Sequence, residues 1–85
     1  MRLTKTNRGK ILNQNEGFTQ KTYYEGNNFE EERIYTVTNG QLLIRSVGKT
    51  SWADSHFDDT WTASEEEVHR FLYKYKDRMN LDGIE

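Results

Sequence analysis

The stretch RIYTVTNGQLLIRSV, residues 33–47, narrows the folds open to this chain more than any other, because Asn39-Gly40 lies between two β-rich runs. Both central residues of a type I′ turn need positive φ, which asparagine and glycine adopt at least cost. With a two-residue loop, Val37 faces Leu42 and Tyr35 faces Ile44, all on one side of the pleat. The other side carries Ile34, Thr36, Thr38, Gln41, Leu43 and Arg45 and is mostly polar. A β-hairpin with one apolar face must cover that face.

The cover is legible near the C-terminus. Val68, Phe71, Leu72, Tyr75 and Met79 recur at helical spacing and predict an amphipathic helix over 65–79. Ser64 and Glu67 have the spacing of a capping box. Glu65, Glu66 and Glu67 suit the positive end of the helix dipole, and Lys74, Lys76 and Arg78 the negative end. Upstream, FTQKTYYE (18–25) reads as a strand, and GNN (26–28) turns the chain toward another beginning near Phe29. Part of 48–63 is expected to add a short fourth strand. The expected fold is a single α+β domain: a three- or four-stranded antiparallel meander followed by one C-terminal helix packed on one face. Residues 1–16, with only Leu3, Ile11 and Leu12 as aliphatics, fit a short strand or a loose basic arm equally well.

The apolar supply is thin. Leu, Ile, Val and Phe make up 17 of 85 residues, at the border where disorder sets in, but the net charge is only −2 and aromatics make up 13%. Aromatic bulk therefore completes the core, and the expected stability is modest. There are no cysteines, which excludes disulfides, thiolate catalysis and cysteine-based zinc sites. The first twelve residues lack the apolar stretch of a signal peptide, and the longest apolar run is Leu42-Leu43-Ile44, so a cytoplasmic location without membrane contact is expected.

The small net charge hides an asymmetry. Residues 1–24 sum to +4, residues 25–67 to −7 and residues 68–85 to +1. Several features weigh against catalysis. GKTS at 48–51 has the tail of a phosphate-binding loop, but Leu43 stands where that loop needs glycine and no helix pattern follows. His56, Asp58, Asp59 and His69 could ligate zinc, and His56, Asp58 and His69 could build a metal hydrolase, yet their spacing matches no tight site. No metal, cofactor or catalytic residue is assigned. Glu30-Glu31-Glu32 reads as the charge guard of an edge strand.

The expected function is a small non-enzymatic binding or regulatory protein of bacterial, phage or prophage type. Its protein partner docks on an acidic-aromatic surface built from Trp52, Asp54, Asp58, Asp59, Trp61 and Tyr73. Such a surface could also imitate phosphates in a partner's DNA-binding groove. The alternative is nucleic-acid binding through Arg2, Lys5, Arg8, Lys10 and Lys21, with Tyr23 stacking on bases.

Overall fold

The computed structural model describes residues 2–50 and 55–84. Helix α1 (Lys5–Gln14) leads into a four-stranded antiparallel sheet of β1 (Thr19–Gly26), β2 (Phe29–Thr38), β3 (Gln41–Thr50) and β4 (Ser55–Thr62). Helix α2 (Glu65–Tyr75) follows, continued by a 3-10 turn over Lys76–Arg78. The strand order β1-β2-β3-β4 is a plain meander. The α+β class is as expected, with a full fourth strand and a second helix.

The hairpin has the register read from its turn. Val37 pairs with Leu42 and Tyr35 with Ile44, and Asn39 and Gly40 have φ of 53° and 73°. Helix α1 braces the turn. Glu16 accepts a hydrogen bond from the Asn39 backbone N–H at 2.8 Å, and a Cβ on Gly40 would lie 2.5 Å from Asn13 Oδ1.

Helix α2 is started by its capping box: Ser64 Oγ accepts from the Glu67 N–H, and Glu67 Oε1 accepts from the Ser64 N–H. It ends one turn earlier than its apolar stripe, at Tyr75, and the 3-10 turn carries the chain on to Met79, which is still buried. Its stripe meets Val37, Leu42 and Ile44 on the sheet and Ile11 and Leu12 on α1 in one core. Tyr35 lies at the edge of this core, partly buried, its ring stacked on Phe71 at 5.0 Å.

The segment before β1 is a helix and not a strand or a loose arm. Thr4 caps it by accepting from the Asn7 N–H. Only Ile11 and Leu12 are buried along it. Such a helix, with Gly9 in its middle, draws its stability from tertiary contacts more than from propensity. Polar clamps hold its far end: Asn15 Nδ2 donates to the Asn80 carbonyl at 2.8 Å, Asn15 Oδ1 accepts from the Asn80 N–H at 2.7 Å, and Gln14 Nε2 donates to the Asp82 carbonyl at 2.9 Å.

The helices cover only part of the sheet. A ten-residue strand runs about 33 Å, whereas an eleven-residue helix runs about 16 Å. The molecule measures 49 × 21 × 19 Å, and its 14.7 Å radius of gyration exceeds the roughly 12 Å of a compact chain this long. The buried apolar residues of the sheet, Val37, Leu42 and Ile44, are confined to the half beneath the helices. Beyond them the sheet continues toward the β1–β2 turn as a ribbon that no other described element covers.

Candidate functional site

The register assigns the ribbon's side chains to two faces. On the helix side lie Thr22 and Tyr24 of β1, Phe29, Glu31 and Arg33 of β2, Ser46 and Gly48 of β3, and Phe57 and Asp59 of β4. Three rings form a row there. Phe57 and Phe29 are stacked, centroids 5.8 Å apart and 15° from parallel, and Tyr24 tilts against Phe29 at 6.0 Å. Gly48 makes the row possible, because Phe57 leans across it: a Cβ there would lie 2.5 Å from Phe57 Cζ and 2.1 Å from the Glu30 carbonyl oxygen. Tyr24 is 60% exposed.

A polar cluster separates this row from the core. Glu31 Oε2 accepts from the buried Ser46 hydroxyl and from Arg33 Nε at 3.1 Å. Burial pushes the Glu31 pKa up, but the bonds from Ser46 and Arg33 outweigh it and hold the carboxyl below its usual range. The Arg33 guanidinium also sits 5.9 Å over the Trp61 ring. The indole N–H of Trp61 donates to Glu67 Oε2 at 3.2 Å. The Glu67 pKa is lowered, chiefly by its bond from the Ser64 backbone and further by Trp61.

The opposite face is a ladder of cross-strand ion pairs. Lys21 pairs with Glu32 at 3.9 Å, Lys49 with Glu30 at 3.8 Å, and Arg45 grips Asp58 through two bonds of 3.0 and 2.7 Å. The expected edge guard is therefore corrected: β2 is an inner strand, and Glu30, Glu31 and Glu32 are matched by bases on β1, β2 and β3. Glu25 and Asp59 have no ion pair among the described residues. Pairing weakens the field that imitation of phosphates requires.

The acidic-aromatic set read from the sequence is not gathered on one surface. Asp58 and Asp59 project from opposite faces of β4. Trp61 is half-buried and committed to the core margin. Tyr73 is 73% exposed on the outer side of α2, on another part of the molecule. Trp52 and Asp54 lie outside the described residues. The residues that the ribbon does bring together are Tyr24, Phe29 and Phe57, with Asp59 on the same face; Glu25 projects from the opposite face. Strand periodicity could have found them, since Phe29 and Phe57 fall on one face once β4 is registered against β3.

The nucleic-acid set is also divided. Arg2, Lys5, Arg8 and Lys10 belong to α1 or its approach, and Lys5 pairs with Glu65 at 3.3 Å. Lys21 and Tyr23 project from the ion-pair face of β1. The Tyr23 phenol has its pKa raised by partial desolvation and by Glu30, Glu25 and Glu32, a setting that repels phosphate.

Gly48, Lys49 and Thr50 lie inside β3, so the described part of the GKTS run is strand and not a phosphate loop, and Ser51 lies outside the described residues. His56 lies opposite Lys49, Asp58 is held by Arg45, Asp59 projects from the other face, and His69 is on α2. Among the described residues no group of three side chains could hold a metal ion, and no helix is long and apolar enough to cross a membrane. Comparison with protein-family models, curated proteins and solved structures gives no match.

Proposed function

We propose that this chain is a small, non-enzymatic binding module that docks a protein partner on the uncovered half of its sheet. The observation that carries the reading is the ring row of Tyr24, Phe29 and Phe57, which lies beyond the helices and leaves Tyr24 60% exposed. Aromatic side chains on a rigid sheet are efficient anchors, because they bury large area with little rotamer entropy to lose. Asp59, on the same face as the rings, favours a partner segment that sets lysine or arginine next to an apolar side chain, and it speeds the partner's approach.

The test is capture from nuclease-treated lysate of the source cell by the wild-type chain and by Tyr24→Ala and Asp59→Asn variants. Tyr24→Ala is expected to release the captured protein at unchanged melting temperature, because its ring lies outside the main core. Asp59→Asn should slow association and flatten its salt dependence. Equal capture by the wild type and Tyr24→Ala refutes the reading.

A further inference from the structure

The far side of the molecule carries a second surface, opposite in charge. Arg2, Leu3 and Thr4 on the approach to α1 line one shallow depression together with His69, Tyr73 and Lys76. Arg8 joins it from α1: its Nη1 donates to the Leu3 carbonyl at 2.7 Å and lies 3.5 Å from His69 Nδ1. The depression continues along α2 past Arg70 and Lys74. Four cations, Arg2, Arg70, Lys74 and Lys76, therefore line the surface with one exposed ring, and Arg8 reaches its edge at His69. Two carboxylates oppose them, Glu66 paired with Arg70 and Asp77 with Lys76. Arg2, Arg8 and Lys74 have no carboxylate partner among the described residues.

Tyr73 has no part in the core, which is formed from the other side of α2 by Val68, Phe71, Leu72 and Tyr75. At 73% it is the most exposed of the large hydrophobic residues among those described. An aromatic face with three cations near it that lack a carboxylate partner among the described residues matches a ligand that alternates flat bases with negative charge. Stacking requires an unpaired base, so the fit is to a single strand and not to a duplex. The bond from Arg8 to the Leu3 carbonyl holds one guanidinium in place before any ligand arrives.

We infer that this surface of α1 and α2 binds single-stranded nucleic acid, with a base stacked on Tyr73 and phosphates held by Arg2, Arg8 and neighbouring lysines. It is separate from the partner-docking ribbon and does not depend on that reading.

The probe is a labelled oligothymidylate of about 15 nucleotides, titrated with the full chain by fluorescence anisotropy from about 50 mM salt upward. With three phosphates neutralised, log affinity should fall with log salt with a slope of about −2. Tyr73→Ala should weaken binding roughly tenfold or more while leaving the slope unchanged. Arg2→Gln should flatten the slope by about 0.7. Tyr24→Ala should change neither, which separates this surface from the ribbon. Both Tyr73 and Arg2 are exposed, and unchanged melting temperatures verify that the variants fold. Absence of binding at about 50 mM salt, binding indifferent to Tyr73→Ala, or equal binding of polyglutamate or of the matching duplex overturns the inference.

Discussion

Replacing Phe71 with alanine tests how α2 is seated, and with it which residues are free to form a surface. The Phe71 ring is 4% exposed and is the centre of an aromatic cluster. It meets Tyr35 at 5.0 Å, Tyr75 at 4.9 Å and Phe18 edge-on at 6.2 Å. Truncation removes the ring and leaves a cavity that three rigid rings cannot collapse to fill, so the expected cost is ~3–5 kcal/mol. At ~0.05–0.15 kcal/mol per residue, an 85-residue chain has in all about 4–13 kcal/mol. Its unfolding entropy, near 2.1 cal/mol/K per residue, converts each kcal/mol into about 6 °C of melting temperature. Phe71→Ala should therefore lower the midpoint by about 17 °C or more, or leave the chain unfolded at room temperature. Tyr73→Ala, two residues on, should change stability by less than about 0.5 kcal/mol, or about 3 °C. Thermal melts by circular dichroism measure both. A small loss for Phe71→Ala, or a larger loss for Tyr73→Ala, means that α2 is rotated from the position described, and the cationic surface would dissolve with it.

Gly40→Val should cost more than about 1 kcal/mol in urea unfolding, because φ at 73° strains a β-branched residue and its Cβ would strike Asn13; tolerance would mean the turn does not set the register. Gly48→Ala should cost about 1–3 kcal/mol and part the Phe29 and Phe57 rings, since the new methyl collides with both backbone and ring; an unchanged nuclear Overhauser contact between the rings would show that the close approach is absent. Glu31 has a lowered folded pKa, so its contribution is fully present at neutral pH and is lost as pH falls through that folded value. Glu31→Gln should therefore be less stable than the wild type at neutral pH by about 1 kcal/mol, with the gap closing as the pH falls below the usual carboxylate range; a gap that widens in acid refutes the assignment.

The hairpin and α2 were legible because each rests on signals that agree locally. Asn39-Gly40 sets the register, the apolar residues on both strands fit it, and Ser64 with Glu67 caps a helix whose stripe has one period. Helix α1 offered no such agreement. Ile11 and Leu12 are adjacent, so they form no stripe over several turns, and what holds the helix is remote in sequence: Asn80 and Asp82 at one end and the Asn39-Gly40 turn beside it. The length of β4 was hidden for a related reason. Its residues pair with β3 whatever their polarity, as Thr60 with Arg45 and Asp58 with Val47 do, and backbone pairing leaves little trace in the apolar pattern.

The functional residues were harder to read than the fold, because sequence proximity misjudges which side chains share a face. Asp58 and Asp59 are adjacent and therefore point apart, whereas Phe29 and Phe57, far apart in the chain, touch. The charge asymmetry of the sequence nonetheless survives folding as geography. The ribbon draws its residues from the acidic middle of the chain, and the meander holds them beyond the helices. The helical end draws on Arg2 and Arg8 from the first segment and on Arg70, Lys74 and Lys76 from the last. An antiparallel meander flanked by a helix at each terminus has this consequence whenever its termini are basic and its strands acidic. Both helices pack on one half of the sheet, so their charges collect there and the strand charges are displaced to the other half. On the ribbon most of that acidity is spent on the Lys21–Glu32, Lys49–Glu30 and Arg45–Asp58 pairs. Around Tyr73, by contrast, Arg2, Arg8 and Lys74 keep their charge uncompensated by any carboxylate among the described residues. A long-range field should therefore be stronger at the helical end, and an anionic partner there should show a steeper salt dependence than any partner of the ribbon.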